Sequence, residues 1–392
     1  MMKQALEGIC IVDLSRLLPG PYCSMLLADL GAEVIKVEDP HLGDPTRWTP
    51  PQTHDTGIVF LNLNRNKRSL TLNLKDPRGV AIFHRLAERA DVILETFRPG
   101  VMDRLGIGYK AIAAINPQIV YCSLTGYGQS GPYRDRSGHD LNYISLAGIL
   151  GLTTDQEGRP TIPGTQIADL AGAMAATIAI LAALLARQRL GHGQYIDVAM
   201  TDVAVSLLTV AAASAFAGHP LPVGGRFELN GRFPFFNIYE TSDGGFVSLG
   251  ALEPKFWQEF CRVVGRADWL DKQFVSDQER EHLFAELRQL FRSKSRREWQ
   301  EIFADADACC EPVLSLDEAF SHPQVQHRQM IVDVPEPGRG TVRHLASPLK
   351  LSETPPSIRT PAPQLGQHTL TILHELGYTE AECQELKQAG VI

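Results

Sequence analysis

Short apolar runs alternate with helical patterns through the first half of the chain. Residues 8–13 predict a strand, 23–30 a helix and 32–37 a second strand. The same alternation predicts further strands and helices at residues 69–74, 77–90, 92–95, 109–115 and 118–124. This order is typical of an α/β fold with a mainly parallel, doubly wound sheet. Ligands of such sheets bind beyond the carboxyl ends of strands, so the loops after residues 37, 74, 95 and 124 are expected to border the site.

A long apolar segment follows this region. Residues 170–186 are 17 consecutive uncharged residues, which is the lower limit for a helix that crosses a bilayer. The segment is rich in Ala and Gly, Asp169 precedes it, and no aromatic belt flanks it. We therefore expect a helix buried inside a large protein or a dimer.

The pattern changes in the second half. A strand at 195–198 and a helix at 202–216 precede residues 217–235, whose Gly, Pro and Arg content predicts a linker. A hairpin at 237–249 and helices at 254–264, 279–293 and 297–304 predict a smaller α+β domain. Strand-like segments are expected at 335–342 and 348–352, and terminal helices at 367–376 and 379–388. The predicted division is a large domain 1–216, a linker 217–235, a small domain 236–330, and a return segment 331–392 that packs on the large domain.

Composition and charge narrow the classes of function. The chain has 44% hydrophobic and 21% charged residues, as expected for a soluble globular protein. Its net charge of -8 argues against nucleic acid and anionic membranes as partners. Seven cysteines without a CxxC pair argue against a disulfide framework or a cysteine zinc site, and no signal peptide pattern opens the chain. We expect a cytoplasmic protein without a bound metal.

A glycine motif and a basic segment suggest how a ligand is held. Residues 126–131 match GxGxxG, but Pro132 follows where a dinucleotide site needs a helix, which leaves a glycine loop close to some other ligand. Residues 62–75 contain Arg65, Lys67, Arg68 and Lys75 and no acid. Together with Arg98 and Arg104 at neighbouring strand ends they predict a site for a nucleotide with several phosphates, because Arg pairs bidentately with phosphate. The alternative for each of these cations is a solvated surface position.

Three residues are candidates for acid–base chemistry. His139 lies in residues 138–143 (GHDLNY) just before a predicted helix, whose positive end favours a neutral imidazole; the alternative is a structural His beside a capping Asp140. Asp169 begins the long apolar helix as an N-cap, and the amides there could also hold an oxyanion. Glu253 stands between a strand and a helix, where a capping role is the alternative.

Several motifs in order resemble the family III CoA-transferases (CaiB/BaiF), a group that includes the alpha-methylacyl-CoA racemases. They are found at residues 13–21, 30–38, 66–69, 97–100 and 126–132, and the resemblance covers nearly the whole chain. It implies a Rossmann-like large domain, a smaller domain, an interlocked homodimer, and a coenzyme A thioester as substrate without a permanent cofactor. The CoA and substrate site that it implies comprises Lys36, Arg65, Lys67, Arg68, Leu72, Asn73, Leu74, Lys75, Thr96, Phe97, Arg98, Arg104, Gly138, Asp140, Leu141, Asn142 and Tyr143.

The resemblance leaves two enzymatic branches. In the racemases a His and an Asp exchange protons with the substrate; the motif at 138–143 differs from theirs by one Leu, and Glu253 lies in a similar segment. This favours a racemase acting at the α-carbon of a 2-methylacyl-CoA, with His139 and Asp169 as the pair and Glu253 orienting His139. Residues 230–234 depart from the racemase pattern.

The alternative is a CoA-transferase that moves CoA to a free acid through an Asp169 aspartyl-CoA, although only Gly224-Gly225 and Gly244-Gly245 resemble a transferase glycine run. A CoA-binding protein without turnover is the third possibility.

Overall fold

A computed structural model describes residues 4–53, 55–155, 157–219, 221–224, 226–336 and 340–392. Its contacts divide the chain into two compact units. The first consists of Met1–Ile149, Ile162–Leu208 and Gln326–Ile392, and the second of Leu150–Thr161 and Thr209–Val325. The segment predicted as a linker, 217–235, therefore belongs to the second unit, and so do residues 150–161 and 209–216, which were predicted to belong to the large domain.

The first unit is built on a six-stranded sheet. Its strands are β1 (Cys10–Asp13), β2 (Glu33–Glu38), β3 (Lys67–Thr71), β4 (Val92–Glu95), β5 (Val120–Thr125) and β6 (Gln194–Ala199). The spatial order is β3-β2-β1-β4-β5-β6, and every neighbouring pair is parallel. The predicted α/β class is confirmed. Because the chain runs outward in both directions from the centre, the order reverses between β1 and β4, which is where such sheets bind ligands.

Most predicted elements of this unit lie within a few residues of the observed ones. The first helix, α1 (Pro19–Asp29), begins four residues early because Pro19 is a suitable first residue. Asp76 caps α2 (Pro77–Ala87) by accepting the Arg78 N–H at 2.8 Å, as predicted. The strand predicted at 69–74 is observed at Lys67–Thr71 (β3). Its beginning was not predicted because two charged residues, Lys67 and Arg68, are not typical of a buried strand. The remaining helices of this unit are Ile58–Leu63, Val101–Arg104, Tyr109–Ile115, α3 (Asp140–Ala147), α4 (Ile167–Leu190), Met200–Ser206, Thr369–Glu375 and Glu380–Gln388, with a 3-10 turn at Pro45–Arg47.

The long apolar segment forms α4, which ends at Gly191 in the left-handed conformation. Its length and composition alone would allow it to cross a membrane, but a core helix of a soluble protein passes the same test. Within the single chain only part of the helix is buried: Met174 is 45%, Ile178 67% and Leu185 60% exposed. Within one chain α4 packs on the sheet, α1, α3 and Met200–Ser206 and leaves these side chains exposed, so the expectation that a large protein or a dimer buries the whole helix stays a prediction.

The C-terminal segment completes the core of the first unit. Ile372, Leu373 and Leu386 are buried in one cluster with sheet residues such as Val12 and Ile93. An antiparallel hairpin, Ile331–Glu336 and Gly340–Leu345, precedes them; residues 337–339 of the predicted strand at 335–342 lie outside the described residues. The strand predicted at 348–352 is wrong, and this proline-flanked stretch has no regular structure.

The second unit contains a three-stranded antiparallel sheet. Its strands are β7 (Phe236–Glu240), β8 (Phe246–Gly250) and β9 (Cys310–Pro312), in the order β9-β8-β7, so the predicted hairpin is confirmed. Stacked aromatic rings, among them Trp257, Phe260 and Trp269, form its core. Its helices are Thr209–Phe216, Pro254–Val263, Asp277–Phe291, Arg296–Phe303 and Leu316–Ser321, with a 3-10 turn at Ala267–Lys272; Ile149–Leu152 and Pro323–His327 fall at the divisions of the chain.

Candidate active site

A cavity of about 300 Å³ lies at the carboxyl ends of the central strands of the first unit. The residues that follow four strands line it: Arg16 after β1, 96–99 after β4, 125–127 at the end of β5, and Met200 after β6. The remaining lining comes from Leu17, Pro19, Leu124, Arg134, residues 136–139, Tyr143 and Asp169. The cavity is therefore where the strand order reverses, the position that this sheet type uses for ligands.

Carboxylates at the strand ends hold the loops around this cavity. Asp13 accepts the Ser15 N–H at 2.9 Å, Glu95 the Phe97 N–H at 2.7 Å, and Asp197 the Gln129 N–H at 3.0 Å. Burial raises the pKa of Glu95 to about 7 despite the hydrogen bonds that it accepts. These bonds give the lining residues a rigid support from the strands.

His139 and Asp169 both line this cavity, although thirty residues separate them in the chain. His139 is the N-cap residue of α3, and its backbone N–H donates to the Asn142 Oδ1 at 3.0 Å. Asp169 lies in the first turn of α4. The N-terminal ends of two helices thus bring an imidazole and a carboxyl group to one cavity.

The side chain of Asp140, the residue after His139, lies at the N-terminal end of α4. The Asp140 Oδ1 accepts the backbone N–H groups of Ala168 at 2.6 Å and of Asp169 at 3.0 Å. The expectation that the amides at the beginning of α4 hold an oxyanion is therefore wrong for these two groups, because a carboxylate of the chain itself already neutralises them. The N–H groups of Asp140 and Leu141 at the beginning of α3 have no such partner among the described residues.

The Asp169 carboxyl group has an unusual proton affinity. Burial and the negative charge of Asp140 raise its pKa to about 6, while His139 partly opposes this. A carboxyl group with this pKa holds and releases a proton near neutral pH, as a general acid or base must.

We expect the variant Asp169→Asn to be more stable than the wild type at high pH. The folded state binds the Asp169 proton more tightly than the unfolded chain, whose pKa is about 3.9, so wild-type stability falls as pH rises from about 4 through 6. After discounting for partial exposure, the gain in the variant at pH 8 is about 1–2 kcal/mol, and it shrinks toward pH 5. Thermal unfolding midpoints across this pH range measure it. Equal midpoint differences at pH 5 and pH 8 would contradict the assignment.

The Tyr143 ring leaves room only for glycine at two positions of the cavity lining. A Cβ at Gly126 would lie 2.4 Å from the Tyr143 Cε1, and a Cβ at Gly138 would lie 2.7 Å from the same atom. The Tyr143 hydroxyl donates to the Gly138 carbonyl at 2.5 Å, and burial raises the pKa of Tyr143 to about 12. The glycine loop at 126–131 therefore approaches Tyr143 closely, which the sequence motif did not indicate.

Most of the predicted phosphate-binding cations are buried in ion pairs. Lys36 pairs with Asp44 at 3.0 Å, Arg65 with Asp29 at 2.7 Å and Lys67 with Asp13 at 3.2 Å, and all of these side chains are at most 2% exposed. Arg68 is partly exposed and binds both Glu33 and Glu375. The structure therefore corrects the assignment of Lys36, Arg65, Lys67 and Arg68 to the phosphate site, since their charges are already neutralised by carboxylates.

The other predicted binding residues fall into two groups. Thr96, Phe97, Arg98, Gly138 and Tyr143 line the cavity. The others do not line it: Leu72 is buried, Asn73, Leu74 and Lys75 follow β3 at the same edge of the sheet, Arg104 is exposed, and Asp140, Leu141 and Asn142 belong to the first turn of α3. Arg16, Arg134 and Arg136, which were not predicted from the sequence, line the cavity with Arg98. The signal for two of them was the charged segment directly after the glycine motif.

Glu253 lies in the second unit, as the N-cap residue of Pro254–Val263. Its side chain is exposed and makes no capping hydrogen bond, so capping does not explain this residue.

A cavity of about 840 Å³ in this unit is lined by Asn230, Gly231, Arg288 and Arg292 among others. It includes part of the segment 230–234 that departs from the racemase pattern; Gly225 lies outside the described residues.

The doubly wound parallel sheet defines a protein of the α/β class, and the His and Asp in the cavity at its switch point make it a candidate enzyme. The family profile described as CoA-transferase family III matches residues 6–369, and the chain belongs to this family. It is 36% identical to the succinyl-CoA:glutarate CoA-transferase of Mus musculus, over 99% of this chain and 90% of that protein. It is equally 36% identical to the alpha-methylacyl-CoA racemase of Homo sapiens, over 99% of this chain and 97% of that protein.

Solved structures show the same fold. A CaiB/BaiF family protein from Brucella suis is 31% identical, and the match covers 95% of this chain and 99% of that one with a TM-score of 0.82. The family places this protein among enzymes that act on CoA thioesters. Because racemases and transferases are matched at similar identity, the comparisons do not separate the two branches.

Proposed function

We propose that this protein is a racemase that inverts the α-carbon of a 2-methylacyl-CoA thioester by 1,1-proton transfer. The observation that carries this proposal is the presence of His139 and Asp169 in one cavity. Inversion needs two groups on opposite sides of one carbon, one to remove the proton and one to return it. The Asp169 pKa of about 6 supports such exchange near neutral pH.

The proposed reaction proceeds through an enolate. Neutral His139 takes the α-proton of one enantiomer, the electron pair of the C–H bond moves onto the thioester oxygen, and protonated Asp169 returns a proton to the opposite face. The roles reverse for the other enantiomer. The enolate oxygen needs hydrogen-bond donors or positive charge beside it. Arg16, Arg98 and Arg136 offer positive charge to the CoA phosphates, and Arg134, which pairs with the exposed Asp135 at 2.8 Å, adds less.

Deuterium exchange with the variant His139→Ala tests this function. We expect the wild type to exchange the α-hydrogen of 2-methylacyl-CoA in D₂O and to racemise it. His139→Ala should lose racemisation, and exchange of the enantiomer whose α-proton faces His139, by about 10²–10⁴-fold, because no base remains on that face, while Asp169 can still exchange the other enantiomer. Mass spectrometry of the thioester measures the exchange, and Asp202→Asn, which alters an exposed first-turn carboxylate of Met200–Ser206, is the control. Formation of a new CoA ester from a free acid without any α-deuterium would end the racemase assignment.

The second candidate is a CoA-transferase of the same family. Two observations favour it: the equal identity to a succinyl-CoA:glutarate CoA-transferase, and the four arginines of the cavity lining, which suit a free carboxylate acceptor. In that reaction Asp169 attacks the thioester carbonyl, CoA leaves as a thiolate, and an acyl anhydride forms on Asp169. A hydroxylamine-sensitive adduct on Asp169 after incubation with acyl-CoA is the expected product of this branch.

We also propose that the working enzyme is an interlocked homodimer in the cytoplasm, without membrane or nucleic acid partners. The support is the apolar side of α4, where Met174, Ile178 and Leu185 are exposed in one chain. Their contact with a second copy would bury this surface, which favours association. Sedimentation in detergent-free buffer should give twice the mass of the 43.2 kDa chain.

A further inference from the structure

One side chain connects the two helices that carry His139 and Asp169. Asp140 is the first residue of α3 and directly follows His139. Its Oδ1 accepts the N–H groups of Ala168 and Asp169, 28 and 29 positions further along the chain. The α4 helix has no capping bond from its own N-cap residue, Gln166. The N-terminal end of α4 is therefore held by a residue of α3, and the holding atom is one residue away from the candidate base.

We propose that Asp140 is the positioning residue of the site: through its two hydrogen bonds to the beginning of α4 it fixes Asp169 relative to His139, and it places a negative charge beside the Asp169 carboxyl group. This inference rests on the acid–base roles proposed above. It assigns Asp140 neither to the phosphate contacts nor to the transferred proton, because its carboxylate is already engaged with the two backbone amides.

The two effects of Asp140 have separate physical causes. Its hydrogen bonds fix the backbone of Asp169 itself, and a displacement of about 1 Å in a catalytic group can cost about 10²-fold in rate. Its negative charge opposes ionisation of Asp169, whose pKa is raised first by burial and then by Asp140, and lowered by His139. Tyr143 is the other titratable group on α3 that interacts with Asp169, and it stays neutral because burial raises its pKa to about 12.

Two substitutions separate the effects. Asp140→Asn keeps an oxygen that can accept the two N–H groups but removes the charge. We expect the titration midpoint of Asp169 to fall by roughly one pH unit, with a matching shift in the pH profile of turnover. Asp140→Ala removes the acceptor as well, and kcat should fall about 10–100-fold while KM for the thioester changes less than about threefold. Asp202→Asn, which removes an exposed first-turn carboxylate of Met200–Ser206, is the matched control.

The Asp169 titration is followed by NMR of ¹³C-carboxyl-labelled protein, with its resonance assigned by its loss in Asp169→Asn. This readout does not require activity, so it distinguishes failure of this inference from failure of the proposed function. A shifted midpoint in Asp140→Asn without α-exchange in the wild type would leave the positioning role intact and remove the racemase. An unchanged midpoint in Asp140→Asn, or full kcat in Asp140→Ala, would overturn the inference.

Discussion

We expect Asp169→Ala to reduce turnover by about 10²–10⁴-fold, whichever of the two reactions the enzyme performs. In the racemase the variant lacks the proton donor on one face of the α-carbon, and in the transferase it lacks the nucleophile. Binding of CoA should stay within about threefold of the wild type, because the arginines of the cavity come from other loops. The measurement is kcat with 2-methylacyl-CoA for racemisation and with an acyl-CoA plus a free acid for transfer.

The control for Asp169→Ala is again Asp202→Asn, an exposed carboxylate in the first turn of a neighbouring helix of the same unit. It should retain wild-type turnover. Wild-type turnover in Asp169→Ala would show that the cavity between β1 and β4 is not the site of reaction, and the proposed function would fall with it.

The second large effect concerns stability. Lys67→Met should destabilise the fold by about 3–5 kcal/mol, because it leaves the Asp13 carboxylate buried without its cation. The Lys67 Nζ donates to the Asp13 Oδ2 at 3.2 Å, the Pro21 carbonyl at 3.0 Å and the Asn64 Oδ1 at 2.9 Å, and both charged side chains are completely buried. Asp13 in turn holds the Ser15 loop beside the cavity. Denaturant midpoints followed by circular dichroism give the change in the free energy of unfolding.

Arg343→Met provides the comparison for Lys67→Met. It breaks an ion pair with Asp333 of 3.0 Å whose side chains are 70% and 54% exposed, and it should cost less than about 1 kcal/mol. A double variant, Asp13→Leu with Lys67→Met, should recover part of the loss because no unpaired charge remains. If Lys67→Met lowered the free energy of unfolding as little as Arg343→Met, the proposed stabilising role of the buried Lys67–Asp13 pair would be wrong.

The fold was predictable because its signal is local. Strand β4 and the helix Tyr109–Ile115 have the predicted bounds, since apolar runs and helical spacing directly report which residues face a core. The cap at Asp76 was predictable for the same reason. Misplaced ends arose where tertiary contacts override the local pattern: β3 includes Lys67 and Arg68, whose charges look solvent-exposed in the sequence but are paired with distant carboxylates.

The candidate site was only partly predictable. The motif at 138–143 and the charge before the long apolar helix identified His139 and Asp169, because each stands out in its own segment. The basic segment at 62–75 gave an incorrect prediction of phosphate contacts, because a run of cations does not show which carboxylates pair with it. The partners of Lys67 and Arg65, Asp13 and Asp29, lie 54 and 36 positions away in the chain. The sequence analysis did not assign Arg16, Arg134 and Arg136 to the site; the charged segment after the glycine motif indicated the last two, but such a segment alone does not distinguish a cation at a cavity from one in solvent.

The sequence by itself determined the alternation of strands and helices, the family motifs and the two candidate acid–base residues, because periodicity and motif spacing are properties of neighbouring positions. Only the tertiary structure decided which cations are neutralised, that Asp140 occupies the N-terminal end of α4, and that His139 and Asp169 share a cavity. These depend on contacts between segments that are far apart in the chain, and such contacts form only when the parallel sheet brings the carboxyl ends of its strands to one edge.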